Sequence, residues 1–163
     1  MKTELPWIAA ARRAIGQREI AGTKHNPLVL KMWARIRAPF TDDETPWCAA
    51  FVGSCLEEVG IRSTRSARAL SYVNFGELLL APTYGCIAVK QRKGGGHVTF
   101  VVGQTKAGNL LCLGGNQNDM VTISEYPRGV FTSFRWPANF PMENPAVSKL
   151  PIFASAAKAG TEA

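Results

Sequence analysis

The chain has no apolar run long enough to cross a bilayer, no cysteines at metal-ligating spacing such as C-x-x-C, and only two histidines. The first absence excludes a spanning helix of about 20 apolar residues. The second argues against a structural zinc site. The third reduces the search for a general base to His25 and His97. The opening Met1-Lys2-Thr3-Glu4-Leu5-Pro6-Trp7 lacks an apolar core region and a small-residue cleavage site, so no secretory signal is expected. The protein is then expected to work in the cytoplasm or to be delivered by something other than the general secretory route. Four cysteines (Cys48, Cys55, Cys86, Cys112) in 163 residues are too few to suggest a disulfide framework, and free thiols are expected. No internal repeat is present.

At this length one domain with a substantial core is expected. Hydrophobic residues make up 46% and charged residues 19% of the chain, ordinary values for a globular protein. The net charge of +7 is unevenly placed. Eight basic residues (Lys2, Arg12, Arg13, Arg18, Lys24, Lys31, Arg35, Arg37) face two acidic ones (Glu4, Glu19) before Ala38. Such a stretch reads either as a surface for an anionic partner or as the solvated face of basic helices.

The front half has helical spacing. Pro6 and Asn26-Pro27 are start signals, and Gly16 and Pro39 are stops. A third helix follows Thr45-Pro46, and Ser66 can cap a short fourth one ending at Gly76. The back half changes period. Segments 87–90, 97–102, 110–113, 121–123 and 130–136 are short, rich in β-branched or aromatic residues, and separated by Gly, Asn and Pro signals. This predicts an α+β fold with N-terminal helices packed on a C-terminal antiparallel sheet. The domain is expected over residues 1–138, with 139–163 a loosely held tail.

Thr45-Pro46-Trp47-Cys48-Ala49-Ala50-Phe51-Val52 is the most informative stretch. Thr45 as N-cap and Pro46 at the first position put Cys48 third in the helix. Phe51, Val52, Cys55, Leu56 and Val59 continue its apolar stripe. Free N–H groups and the helix dipole favour a thiolate there. His97 follows Gly94-Gly95-Gly96 and opens a strand in which it shares a face with Thr99 and Val101. The next strand ends in Gly114-Gly115-Asn116-Gln117-Asn118, which suits a plain turn. It also places Asn116 where it can accept the Nδ1–H of His97. Cysteine at a helix start, histidine on a strand and an amide on the neighbouring strand make a thiol nucleophile, its base and its orienter.

These three motifs resemble the CHAP and NlpC-like cysteine peptidases of the papain superfamily, and most of all the cell-wall lysins encoded by phages and bacteria. The likeness covers about residues 5–137. It implies a papain-like fold, with Cys48 as nucleophile, His97 as base and Asn116 as orienter. The reaction it implies is hydrolysis of a peptidoglycan amide bond, without cofactor or metal, by a monomer. An anionic cell-envelope surface is the expected further partner, and no nucleic acid is expected. After synthesis in the host cytoplasm, the lysin would reach the wall through a holin lesion or another non-secretory route. Two positions depart from the family pattern. Cys86 stands where many members carry aspartate in Gly-Asp-Ile, and Gly114 stands where many CHAP domains carry glutamate.

Trp47 and Gln117 flank the expected site as candidates for substrate contact, Trp47 alternatively for packing. The triplet Asp42-Asp43-Glu44 complements the helix dipole or, through Asp43, binds the free amine of a diamino acid in the wall peptide. The alternative to an enzyme is a non-catalytic basic module for nucleic acid or anionic envelope polymers, with Cys48 as a core thiol.

Overall fold

Proline opens the first two helices. The computed structural model describes residues 4–20, 22, 24–142 and 149–161. Helix α1 (Pro6–Arg13) buries Trp7, Ile8, Ala10 and Ala11, and α2 (Pro27–Arg35) buries Val29, Met32 and Trp33. Asn26 caps α2 by accepting the Leu28 N–H at 2.9 Å. Helix α3 (Cys48–Glu58) is buried at every residue from Cys48 to Leu56, as a helix enclosed by its neighbours must be. It starts later than its sequence suggests. Asp42 accepts both the N–H and the hydroxyl of Thr45, at 2.6 and 3.1 Å, so Thr45 closes a turn instead of capping the helix. Trp47 takes the cap position and Cys48 is the first helical residue. The expected fourth helix is a 3-10 turn, Ala69–Asn74.

Six strands follow: β1 (Glu77–Leu79), β2 (Ile87–Arg92), β3 (Gly95–Gln104), β4 (Leu110–Gln117), β5 (Met120–Tyr126) and β6 (Ser133–Trp136). They form one antiparallel sheet in the order β1-β6-β2-β3-β4-β5. The α+β layout read from the sequence is present. Alternation along β3 sends Val98 and Phe100 towards α3, where Phe51 and Phe100 meet edge-on with centroids 6.3 Å apart. His97, Thr99 and Val101 point to the opposite face. Residues 127–132 carry the chain from β5 to β6. From this connection Phe131 packs on Tyr126 and Phe134, at 5.5 and 5.9 Å, over the sheet face that holds His97.

Part of the expected loose tail, 143–148 and 162–163, lies outside the described residues. The remainder of that stretch is tied down. The Gln104 N–H donates to Pro151 O and the Phe153 N–H to Gln104 O, each at 2.9 Å. A short helix α4 (Ala156–Thr161) buries Ala159. Among the described residues no helix is long and apolar enough to cross a membrane.

Candidate active site

The site lies where β4 leaves the sheet ladder. Pairing between β3 and β4 starts at Phe100 with Leu113, short of His97 and Val98, and the β4–β5 register shifts between Gly114 and Gln117. Two glycines allow this departure because their surroundings close in from both faces. A Cβ on Gly115 would stand 2.6 Å from Phe51 Cβ and 2.8 Å from the Trp47 ring. One on Gly114 would stand 2.6 Å from Gln117 Oε1 and collide with the Thr99 hydroxyl. The opening leaves the rim of β3 to the start of α3.

There the Cys48 thiol is almost fully enclosed, with the residue 4% exposed. Burial raises its pKa above the ordinary thiol value. The N–H groups of Val98 and Ala49 and the charge of Arg92 oppose that rise without cancelling it. The thiolate expected from the helix start is therefore outweighed by desolvation, and the resting group is a thiol. Val98 follows His97 in β3, but its side chain points to the other face, and no hydrogen bond joins the Cys48 thiol to the imidazole.

His97 is buried, and its Nε2 lies 3.0 Å from Gln117 Oε1. The orientation of the Gln117 amide follows from its other contacts. Its Nε2 faces the carbonyls of Cys112 and Thr122, at 3.2 and 2.8 Å, and only an NH₂ can donate to both. Oε1 must then accept, from His97 Nε2–H, from the Thr99 hydroxyl at 3.1 Å and from the Tyr126 hydroxyl at 3.0 Å. This fixes the histidine tautomer. With the proton on Nε2, the Nδ1 lone pair is the basic one. Burial lowers the His97 pKa, the Gln117 bond raises it, and Lys90 and Arg92 lower it further; the net direction is down. A neutral thiol thus accompanies a neutral imidazole.

Asn116, expected as the orienter, does not bond the imidazole. Its backbone is left-handed, with φ of 57°, and its Oδ1 is buried without a partner. The bulge explains the exchange. The register shift after Gly114 changes which residue of the loop faces the sheet side of His97, and that residue is Gln117. Gln117, expected as a substrate contact, is 4% exposed, and its amide is engaged with His97, Thr99, Tyr126 and the carbonyls of Cys112 and Thr122.

The two other expected substrate contacts are internal as well. Trp47 is completely buried and donates its Nε1–H to Glu19 Oε1 at 2.9 Å. Asp43 is completely buried. Burial pushes its carboxyl up, but the N–H groups of Ile20 and Asn26, at 2.7 and 2.9 Å, together with His25 at 3.1 Å, hold it below the usual range. With both oxygens occupied it ties Ile20, His25 and Asn26 to the entrance of α3. His25 is thereby a partner of Asp43, away from His97. Sequence reading missed Thr99, Tyr126 and Thr122, which complete the Gln117 network; only the face shared by His97 and Thr99 hinted at it.

The remaining cysteines are buried and free. Burial pushes the Cys86 thiol up to about 12, and those of Cys55 and Cys112 also upward. Several N-terminal arginines are engaged within the fold. Arg12 bonds Glu4 at 3.3 Å and the Tyr84 hydroxyl at 2.9 Å, while Arg13 and Arg35 both approach Glu58. No group of His, Cys, Asp and Glu among the described residues is placed to hold a metal ion. No protein-family model matches the chain, and no curated protein or solved structure was found to be similar.

Proposed function

We propose that the protein is a papain-like cysteine hydrolase that cleaves an amide bond of peptidoglycan, with Cys48 as nucleophile, His97 as acid–base group and Gln117 as orienter. The observation that carries this reading is the buried Gln117–His97 bond beside the α3 start. It leaves Nδ1 of His97 without a partner among the described residues, one residue before the Val98 N–H that bears on the Cys48 thiol. The cell-wall substrate rests on the resemblance of the Cys48, His97 and Gly-Gly-Asn-Gln motifs to phage-type lysins, and the thiol chemistry rests on the geometry.

In the first step the Cys48 S–H proton passes to His97 Nδ1, and the sulfur bonds to the carbonyl carbon of the scissile amide. The N–H groups of the first α3 turn have no partner within the helix and face the oxyanion that develops. Collapse breaks the C–N bond. The amine leaves with the proton from His97, and a thioester remains on Cys48. Water then gives a proton to Nδ1 and its oxygen to the acyl carbon, releasing a carboxylic acid and restoring the thiol. Gln117 keeps the ring in one tautomer throughout.

Digestion of purified peptidoglycan tests the proposal. New amine and carboxyl termini should accumulate with wild type, and mass spectrometry of the fragments identifies the bond cut. Cys48→Ala and His97→Ala should release neither. Undiminished release by folded Cys48→Ala would overturn the proposal.

A further inference from the structure

The face of the sheet that holds His97 also carries cations without an acidic partner among the described residues. Lys90 pairs directly with His97 across the β2–β3 ladder, and Arg92, two residues on, stands on the same face opposite Gly95. The side chain of Arg92, an exposed residue, makes no ion pair or hydrogen bond with any described residue. Lys90 holds its ammonium 5.2 Å above the Tyr126 ring, and that ring lies 5.9 Å from the imidazole. By contrast, Arg12, Arg13, Arg35 and Arg65 are all matched with glutamates. The charge of Arg92 also bears on Cys48, His97 and Tyr126, which places its guanidinium within electrostatic reach of all three.

A planar guanidinium on the His97 face, exposed and unmatched, is suited to bidentate contact with a carboxylate. Gly95 opposite it carries no side chain, and nothing lies within 4 Å of where a Cβ would stand, so approach is open. We infer that Arg92, seconded by Lys90, is a specificity-determining anion rim, and that the substrate carries a free carboxylate close to its scissile amide. This inference deepens the proposed hydrolase reading and rests on it for the identity of the reaction. It accounts for a basic pair placed on the face that holds His97. It also gives that face a role distinct from the internally paired arginines of the helices.

The experiment compares two synthetic wall stem peptides that differ only in whether the α-carboxyl of the glutamyl residue is free or amidated. Wild type should favour the free carboxylate by about tenfold in kcat/KM, mostly through KM, as expected for one charge-assisted contact. Arg92→Gln should abolish the preference, and Arg92→Lys should restore part of it. Any change in thiol reactivity caused by losing the charge acts equally on both peptides, so the ratio isolates recognition. Calorimetric binding of the same two peptides to Cys48→Ala separates this inference from the hydrolase reading. A binding preference that Arg92→Gln removes, with no turnover by wild type, would sink the hydrolase reading and sustain the rim. Turnover or binding with equal preference for the two peptides would overturn the rim, as would a preference unchanged in Arg92→Gln, or no binding of either peptide.

Discussion

Replacing Gln117 with alanine should do two separable things. The side chain fills five roles at once: acceptor for His97, Thr99 and Tyr126, and donor to the carbonyls of Cys112 and Thr122. Deleting it leaves buried polar groups around a vacated space. Each such group costs roughly 1–3 kcal/mol. The Tyr126 hydroxyl, 3.4 Å from His97 Nε2, can relieve part of this by accepting the imidazole proton. The expected loss in urea unfolding is therefore about 2–4 kcal/mol. Asn116→Gly is the control. It removes a carbonyl that bonds nothing and suits the positive φ, so stability should stay within about 0.5 kcal/mol of wild type. The second effect is on the imidazole. Nitrogen-15 spectra of labelled histidine should show the Nε2–H tautomer in wild type and Asn116→Gly, and a mixture in Gln117→Ala. Turnover on peptidoglycan should fall on the order of a hundredfold in Gln117→Ala alone. A Gln117→Ala protein of undiminished stability and unchanged histidine signal would refute the reasoning, as would a larger effect from Asn116→Gly.

Brief iodoacetamide treatment followed by peptide mapping should label Cys48 ahead of Cys55, Cys86 and Cys112, with a rate still climbing at the ordinary thiol pKa of 9.0 because burial raises it. Preferential labelling of another cysteine, or a rate already flat at neutral pH, would contradict the site. His97 is held neutral, with its folded pKa below the ordinary 6.5. The unfolded chain therefore takes up the proton first, and stability should fall as pH drops from about 6.5 towards the folded value. Denaturant midpoints across that window should flatten in His97→Gln, and an unchanged slope would exclude the assignment. Gly115→Ala should lower stability by about 1–3 kcal/mol, because its methyl meets Phe51 and Trp47; a melting temperature equal to wild type would mean that β4 has room to move.

The helix starts were legible because Pro6 and Asn26-Pro27 act through local chemistry, and Asn26 caps α2 as its side chain suggests. Strands β2 to β6 were legible from their branched and aromatic residues. The three-residue β1 was not, since Glu77–Leu79 is too short to show a period and depends on pairing with β6. Helix α4 and the Gln104–Pro151 contacts were also hidden, because the 149–161 segment is held by distant partners. At the candidate site, the helix that carries Cys48 and the strand that carries His97 were legible from their residues, but the amide that bonds the imidazole was not. One residue of bulge changes the face on which a side chain lands, and no local signal at Asn116-Gln117 announces the shift. Thr45 misled for a related reason, as Asp42 captures both of its polar groups before it can cap α3. The acidic triplet likewise concealed Asp43, whose partners are Ile20, His25 and Asn26.

The central claim is that Cys48 carries the acyl group during turnover. Acid-quenching wild type during digestion of peptidoglycan fragments, then measuring intact-protein mass and mapping peptides, tests it directly. A transient adduct equal in mass to the acyl fragment is expected, located on Cys48, lost with hydroxylamine and absent in Cys48→Ala. Steady turnover with an adduct on another residue, or turnover that persists in Cys48→Ala, would contradict it.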